Sequence, residues 1–91
     1  MELFHERGNE VLARHDPLGL MEMGTPVDEY ASVVAGALIE FIHGRAATFP
    51  AWLRAQLEAR FELKPDWIAT VSAANDLIAL WESPDVAPLR H

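Results

Sequence analysis

DPLGLMEMGTPVDEY, residues 16–30, is the stretch that decides how this chain folds. It holds two prolines, two glycines and several apolar side chains between two segments with helical spacing. A linker without a structural role is more polar and contains fewer such residues. We therefore expect an irregular connection that folds back over the helices, in which Asp16-Pro17 ends the first helix.

The residues of this stretch have architectural explanations. Asp16 can accept hydrogen bonds from backbone N–H groups of the loop, and Gly19 and Gly24 permit a positive φ. These roles do not require the stretch to be a binding site. The predicted structural motif comprises Asp16, Pro17, Gly19, Gly24, Thr25, Pro26, Asp28 and Tyr30.

Apolar residues at helical spacing predict four α-helices. The first covers residues 2–14, although Gly8 weakens it by roughly 1 kcal/mol. The third runs over 48–62 and the fourth from Lys64-Pro65-Asp66 to Glu82. With no alternating β pattern, the expected fold is all-α, a compact bundle of about four helices with an irregular Pro/Gly loop between the first two.

The second helix has the strongest start signal. Thr25 is expected as its N-cap, Pro26 as its first residue and Asp28 as a capping carboxylate, and Gly44 as its stop. We place this helix at the centre of the bundle, buried along much of its circumference. Its predicted apolar stripe is Tyr30, Val33, Val34, Ala37, Leu38, Phe41 and Ile42.

The fourth helix carries two of the three tryptophans. Large apolar residues define its expected inward face, and Trp81 is the tryptophan for which we expect partial exposure. Asn75-Asp76 interrupts the apolar sequence, either as a solvated face or through a bond to a neighbouring loop. The predicted inward residues are Trp67, Ile68, Val71, Ala74, Ile78 and Trp81.

The 91 residues predict one small domain, over 1–83, with 84–91 as a flexible tail. The 14 acidic and seven basic residues give a net charge of −7, which argues against nucleic-acid binding and favours a basic protein partner. The alternative is that the net negative charge only keeps the protein soluble and has no basic partner. The N-terminus lacks signal-peptide features and no segment is long enough to span a membrane, so we expect a cytoplasmic protein.

The sequence contains no strong catalytic or metal-binding motif. The chain has no cysteine, and its serines lack the glycines of a nucleophile elbow. Glu40 and His43 have one metal-ligand spacing, but no second such pair accompanies them. We predict no catalytic, cofactor-binding or metal-binding residue. A small metal-dependent enzyme would have to use His15, Asp16, Asp28, Glu29, Glu40 and His43.

The segments DPLGL, from Asp16, and GTPVDEY, from Gly24, resemble the YugE-like family of small bacterial helical proteins. In that family a Trp-Asp-Pro-Ile/Leu-Gly-Leu loop precedes a Gly/Ala-Pro-x-Asp-Glu-Tyr helix start. Similar segments occur in immunity proteins of polymorphic and contact-dependent toxin systems. The resemblance covers residues 10–42 and implies a cytosolic bacterial helical protein without enzymatic chemistry, which inhibits by binding.

The expected function is therefore non-catalytic binding, most simply as an immunity protein that neutralises a basic toxin domain. The alternative is a structural or self-associating module, for which a homodimer is expected. Exposed carboxylates are the first candidates for partner contact, and the apolar loop is the second. The partner-binding candidates are Glu58, Glu62, Asp76, Glu82, Leu20, Met21 and Met23.

Overall fold

Four α-helices account for most of the computed structural model, which describes residues 2–20, 23–24 and 29–86. The helices are α1 (Glu2–His15), α2 (Ala31–Ile42), α3 (Phe49–Phe61) and α4 (Trp67–Glu82), with a 3-10 turn over Ala46–Thr48. The described residues contain no β-strand, and the predicted all-α bundle of about four helices is confirmed.

Aromatic side chains join the helices at one end of the bundle. Phe41 of α2 lies 5.9 Å from Phe4, 4.5 Å from Phe49 and 5.8 Å from Trp81, measured between ring centroids. These four residues define the aromatic end. Trp81, the tryptophan predicted to be partially exposed, is half-buried in this cluster, where α1 and α2 both direct a phenylalanine against it.

The connections between helices meet at the opposite end. The Tyr30 ring packs on Phe61 at the end of α3, and its hydroxyl bonds to Asp16 after α1. The backbone N–H of Asp66, just before α4, donates to the Pro17 carbonyl at 2.8 Å. Asp16, Tyr30, Phe61 and Asp66 define the loop end. The four helices therefore run alternately up and down between the two ends.

Gly8 is a contact point between three helices. It is buried in α1, and a Cβ added there would lie 2.7 Å from Val34 Cγ1 on α2 and 3.4 Å from Leu77 Cδ2 on α4. The glycine that sequence analysis treats as a weak point thus allows α1 to approach both neighbours closely.

The buried face of α4 is built mainly from small side chains. Thr70, Ala73 and Ala74 are fully buried together with Leu77. The predicted inward stripe is wrong at its start, since Trp67 is 46% exposed and Ile68 is 77% exposed. Close contact with α1 selects small residues for the interface and leaves these two large side chains outside it.

The observed start of α2 differs from the prediction. The helix begins at Ala31, and its first hydrogen bonds run from the N–H groups of Val33 and Val34 to the Tyr30 carbonyl. The buried, hydrogen-bonded Tyr30 side chain lies directly before this start. The predicted capping residues Thr25, Pro26 and Asp28 lie outside the described residues.

The core extends beyond the predicted domain end at Ser83. Val86 is fully buried, and Asp85 accepts a hydrogen bond from Arg7 of α1 at 2.9 Å. The first part of the predicted tail therefore packs against the bundle. Residues 87–91 lie outside the described part of the chain.

Candidate functional site

The loop motif is organised around the Tyr30 phenol. Its hydroxyl donates to Asp16 Oδ1 at 2.9 Å and accepts from the backbone N–H of Leu18 at 3.3 Å. Burial raises the pKa of the Tyr30 phenol well above its ordinary value, and the carboxylate of Asp16 raises it further. A neutral, doubly hydrogen-bonded phenol is suited to holding the loop in place.

Three residues of the loop adopt positive φ. Asp16 has φ 46°, Gly19 has φ 71° and Gly24 has φ 78°. The strained Asp16 conformation is held by the Gly19 N–H, which donates to its carbonyl at 2.9 Å, and by the Tyr30 bond. The architectural roles predicted for Asp16 and the glycines match these contacts, and Pro17 is buried beside them.

The three apolar loop residues predicted to contact a partner, Leu20, Met21 and Met23, differ in exposure. Leu20 is buried in the core, which corrects its assignment as a partner contact, because its side chain packs inward as the loop folds over the helices. Met23 is 62% exposed. Met21 lies outside the described residues.

Two of the four candidate carboxylates have partners within the chain. Glu58 accepts a hydrogen bond from Arg54 at 3.3 Å, which is the ion pair that the i, i+4 spacing predicts. Asp76 bonds His15 Nε2 at 2.7 Å and Arg14 at 3.2 Å, so it joins α4 to the end of α1. Asp76 is therefore a structural contact between helices rather than a free surface charge.

Glu62 and Glu82 are exposed but lie far apart. Glu62 ends α3 at the loop end, whereas Glu82 ends α4 beside Trp81 at the aromatic end. The sixteen residues of α4 separate these ends by about 24 Å. The four predicted carboxylates thus do not form a single surface.

A row of carboxylates on α1 was not among the predicted partner contacts. Glu2, Glu6 and Glu10 are all exposed, and none has an ion pair within the described part of the chain. The neighbouring Arg7 pairs with Asp85 instead. Glu82 lies at the same end of the bundle, since Trp81 contacts Phe4 on α1. We call Glu2, Glu6, Glu10 and Glu82 the acidic surface.

The spacing that reveals this row is visible in the sequence. Residues four apart lie on one face of a helix, and like charges at this spacing repel. Glu82 also lies at the carboxyl end of α4, where the helix dipole disfavours a negative charge. The row therefore concentrates negative charge on one face of α1, although Glu2 itself lies in the first turn, where the helix dipole favours a carboxylate.

Exposed apolar side chains occur in two other places. Leu63, Trp67 and Ile68 lie where α3 leads into α4, and the Arg54 guanidinium stands 5.4 Å from the centre of a Trp67 ring. On α2, Ile39 is 54% exposed and Ile42 is 62% exposed. Ile42 was predicted to face inward on a helix buried along much of its circumference, but it lies on an open face of α2.

Three of the residues considered for metal chemistry, His15, Asp16 and Glu40, bind other side chains of the chain. Arg45 donates to both carboxylate oxygens of Glu40, at 2.6 Å and 3.1 Å, and this pairing lowers the pKa of Glu40. His15 bonds Asp76. Among residues 2–20, 23–24 and 29–86, no group of three or more histidine and carboxylate side chains is arranged to hold a metal ion.

Comparison with known proteins adds no relative, since no family model, curated protein or solved structure matches the chain. No helix in the described ranges is long and apolar enough to cross a membrane. The fold and its surfaces define the class, a small all-α four-helix bundle with a row of exposed carboxylates on α1.

Proposed function

We propose that this chain is a small, non-catalytic, cytoplasmic binding protein whose acidic surface captures a basic protein domain. The observation that carries the proposal is the row Glu2, Glu6 and Glu10, extended by Glu82. These four carboxylates form no ion pair within the part of the chain that the structure describes. Placing basic side chains opposite them would relieve their mutual repulsion.

The resemblance to the YugE-like family and to immunity proteins supports a more specific proposal. An immunity protein neutralises its toxin by direct binding, and a basic toxin domain would match the net charge of −7. Charge attraction would speed encounter, and exposed apolar side chains would then add affinity. The partner would be a protein made by the same cell.

Co-expression with the protein encoded beside it in its own genome tests this proposal. The wild-type chain is expected to restore growth if the neighbour is toxic. The variant Glu6→Lys with Glu10→Lys should lose much of this protection. It changes only exposed positions, so its helical content by circular dichroism should remain that of the wild type.

A matched control separates local charge from total charge. Glu29 and Glu62 are exposed, without an ion pair among the described residues, and lie at the loop end. Glu29→Lys with Glu62→Lys changes the net charge by the same amount and should retain protection. Equal protection by both double variants, or equal loss, would contradict a binding role for the acidic surface.

A further inference from the structure

The open face of α2 has an unusual composition for the surface of this chain. The helix buries Val33, Val34, Ala37 and Phe41, so the residues on its opposite side point away from the bundle. Small residues occupy the first half of this side and isoleucines the second half. The open face consists of Ala31, Ser32, Ala35, Ile39 and Ile42.

This face carries no formal charge. The one charged residue of α2 is Glu40, and its carboxylate is paired with Arg45 through two hydrogen bonds. Two copies of a chain with net charge −7 repel each other. The open face lets them approach without placing free carboxylates against each other, so its charge suits a second copy better than a basic partner.

The order of large and small residues also fits a second copy. In a two-fold antiparallel pairing of α2 helices, a residue near one end of the helix meets a residue near the other end of its mate. Ile42 would then face Ser32 of the partner subunit, and Ile39 would face Ala35 of the partner subunit. Each large side chain meets a small one, which is how two surfaces interdigitate.

We propose that a second copy of this chain docks on the open face of α2 as an antiparallel, two-fold pair. Twelve residues give a contact about 18 Å long. A contact of this length buries well under the roughly 800 Å² per partner of a standard interface. The dimer is therefore weak, forming at concentrations on the order of 100 µM.

Sedimentation equilibrium of the full chain over about 10 to 500 µM tests the proposal. The mass should rise from 10.1 kDa toward twice that value, and more readily at high salt, because salt screens the repulsion between copies. Capture of a basic partner has the opposite salt dependence, so the two proposals fail independently. A monomer at every concentration and salt level would overturn this one.

Variants identify the face and the register. Ile39→Glu should abolish dimerisation, whereas the control Ile68→Glu, at a still more exposed site on α4, should not. Ile39→Ala should weaken the dimer, and adding Ala35→Ile should restore it, because the large and small partners are exchanged across the two-fold axis. If Ile39→Glu still dimerises, the contact lies elsewhere. If Ile39→Ala with Ala35→Ile does not restore the dimer, this register is excluded.

Discussion

α2 and α4 are the two most apolar helices of the bundle, yet they bury opposite kinds of side chain. α2 presents Val33, Val34 and Phe41 to the core. α4 presents mainly small residues and leaves Trp67 and Ile68 exposed. The difference shows that packing against neighbouring helices, rather than hydrophobicity alone, decides which face is buried.

The cause lies in α1, which packs against both helices. At Gly8 the backbone of α1 approaches Val34 and Leu77 too closely for an added side chain. At the aromatic end, Phe4 of the same helix contacts the Phe41 and Trp81 rings instead. Small residues therefore line the contact at Gly8, and aromatic rings line the contact at Phe4.

The aromatic end should contribute most to the stability of the fold. Phe41→Ala removes a ring that contacts three other rings, and we expect it to lower the free energy of unfolding by about 3–5 kcal/mol. That is most of the stability of so small a domain. Urea denaturation measures the change. A midpoint near that of the wild type would show that the aromatic end is not the main core.

The close contact should be sensitive to a single added methyl group. In an exposed helix, Gly→Ala stabilises by roughly 1 kcal/mol. At Gly8 the new Cβ would press on Val34 Cγ1, whose β-branched side chain cannot rotate away freely, so a net loss of about 1 kcal/mol is expected. A raised urea midpoint for Gly8→Ala would mean that the helices are not in close contact there.

The starts of the two helices differ as well. Asp66 caps α4 by accepting a hydrogen bond from the Ala69 N–H at 2.8 Å, whereas α2 has no side-chain cap and begins at the anchored Tyr30. Tyr30→Phe leaves Asp16 Oδ1 and the Leu18 N–H without this partner. We expect it to cost about 1 kcal/mol, as does Asp66→Ala through loss of the cap.

Alkaline titration gives an independent measure of the Tyr30 anchor. Tyr30 is the sole tyrosine, so absorbance of the ionised phenol reports this residue alone. A free tyrosine is half ionised at about pH 10. Because the pKa of Tyr30 is raised in the folded state, its phenol should still be neutral at that pH. Stability should fall as the pH rises above that value, and Tyr30→Phe should remove this dependence. Ionisation near pH 10 in the folded protein would contradict burial of the phenol.

The smallest effect is expected on the exposed side of α4. Ile68→Ser should change the free energy of unfolding by no more than about 0.5 kcal/mol, since the side chain is largely in solvent already. Leu77→Ala on the buried side of the same helix should cost about 2–5 kcal/mol. If both variants lower the free energy of unfolding by a similar amount, Ile68 is buried, as the sequence pattern predicted.

The helices themselves could be predicted from the sequence, because prolines and glycines mark their ends. The Arg54–Glu58 pair followed from spacing, and the anchoring stretch was identified through Asp16 and Tyr30. The buried face of α4 could not be predicted, since periodicity does not reveal how closely two helix axes approach. The prediction that Asp28→Ala costs about 1 kcal/mol concerns a residue outside the described ranges and stays a prediction.

The candidate site was harder to predict than the fold. Asp76 was a candidate as an exposed charge, but its contact with His15 links residues far apart in sequence, which no local pattern reveals. Reversing Asp76 would therefore break a helix contact as well as change the surface charge. The row beginning at Glu2 follows from i, i+4 spacing alone and could have been identified from the sequence.

The most direct measurement is the association rate constant between this chain and the protein encoded beside it, recorded by stopped flow from low to high salt. The wild-type rate should fall steeply with salt, and Glu6→Lys with Glu10→Lys should bind more slowly and with a weaker salt dependence. Glu29→Lys with Glu62→Lys should remain close to the wild type. A rate that is independent of salt, or that falls equally in both double variants, would contradict capture by the acidic surface.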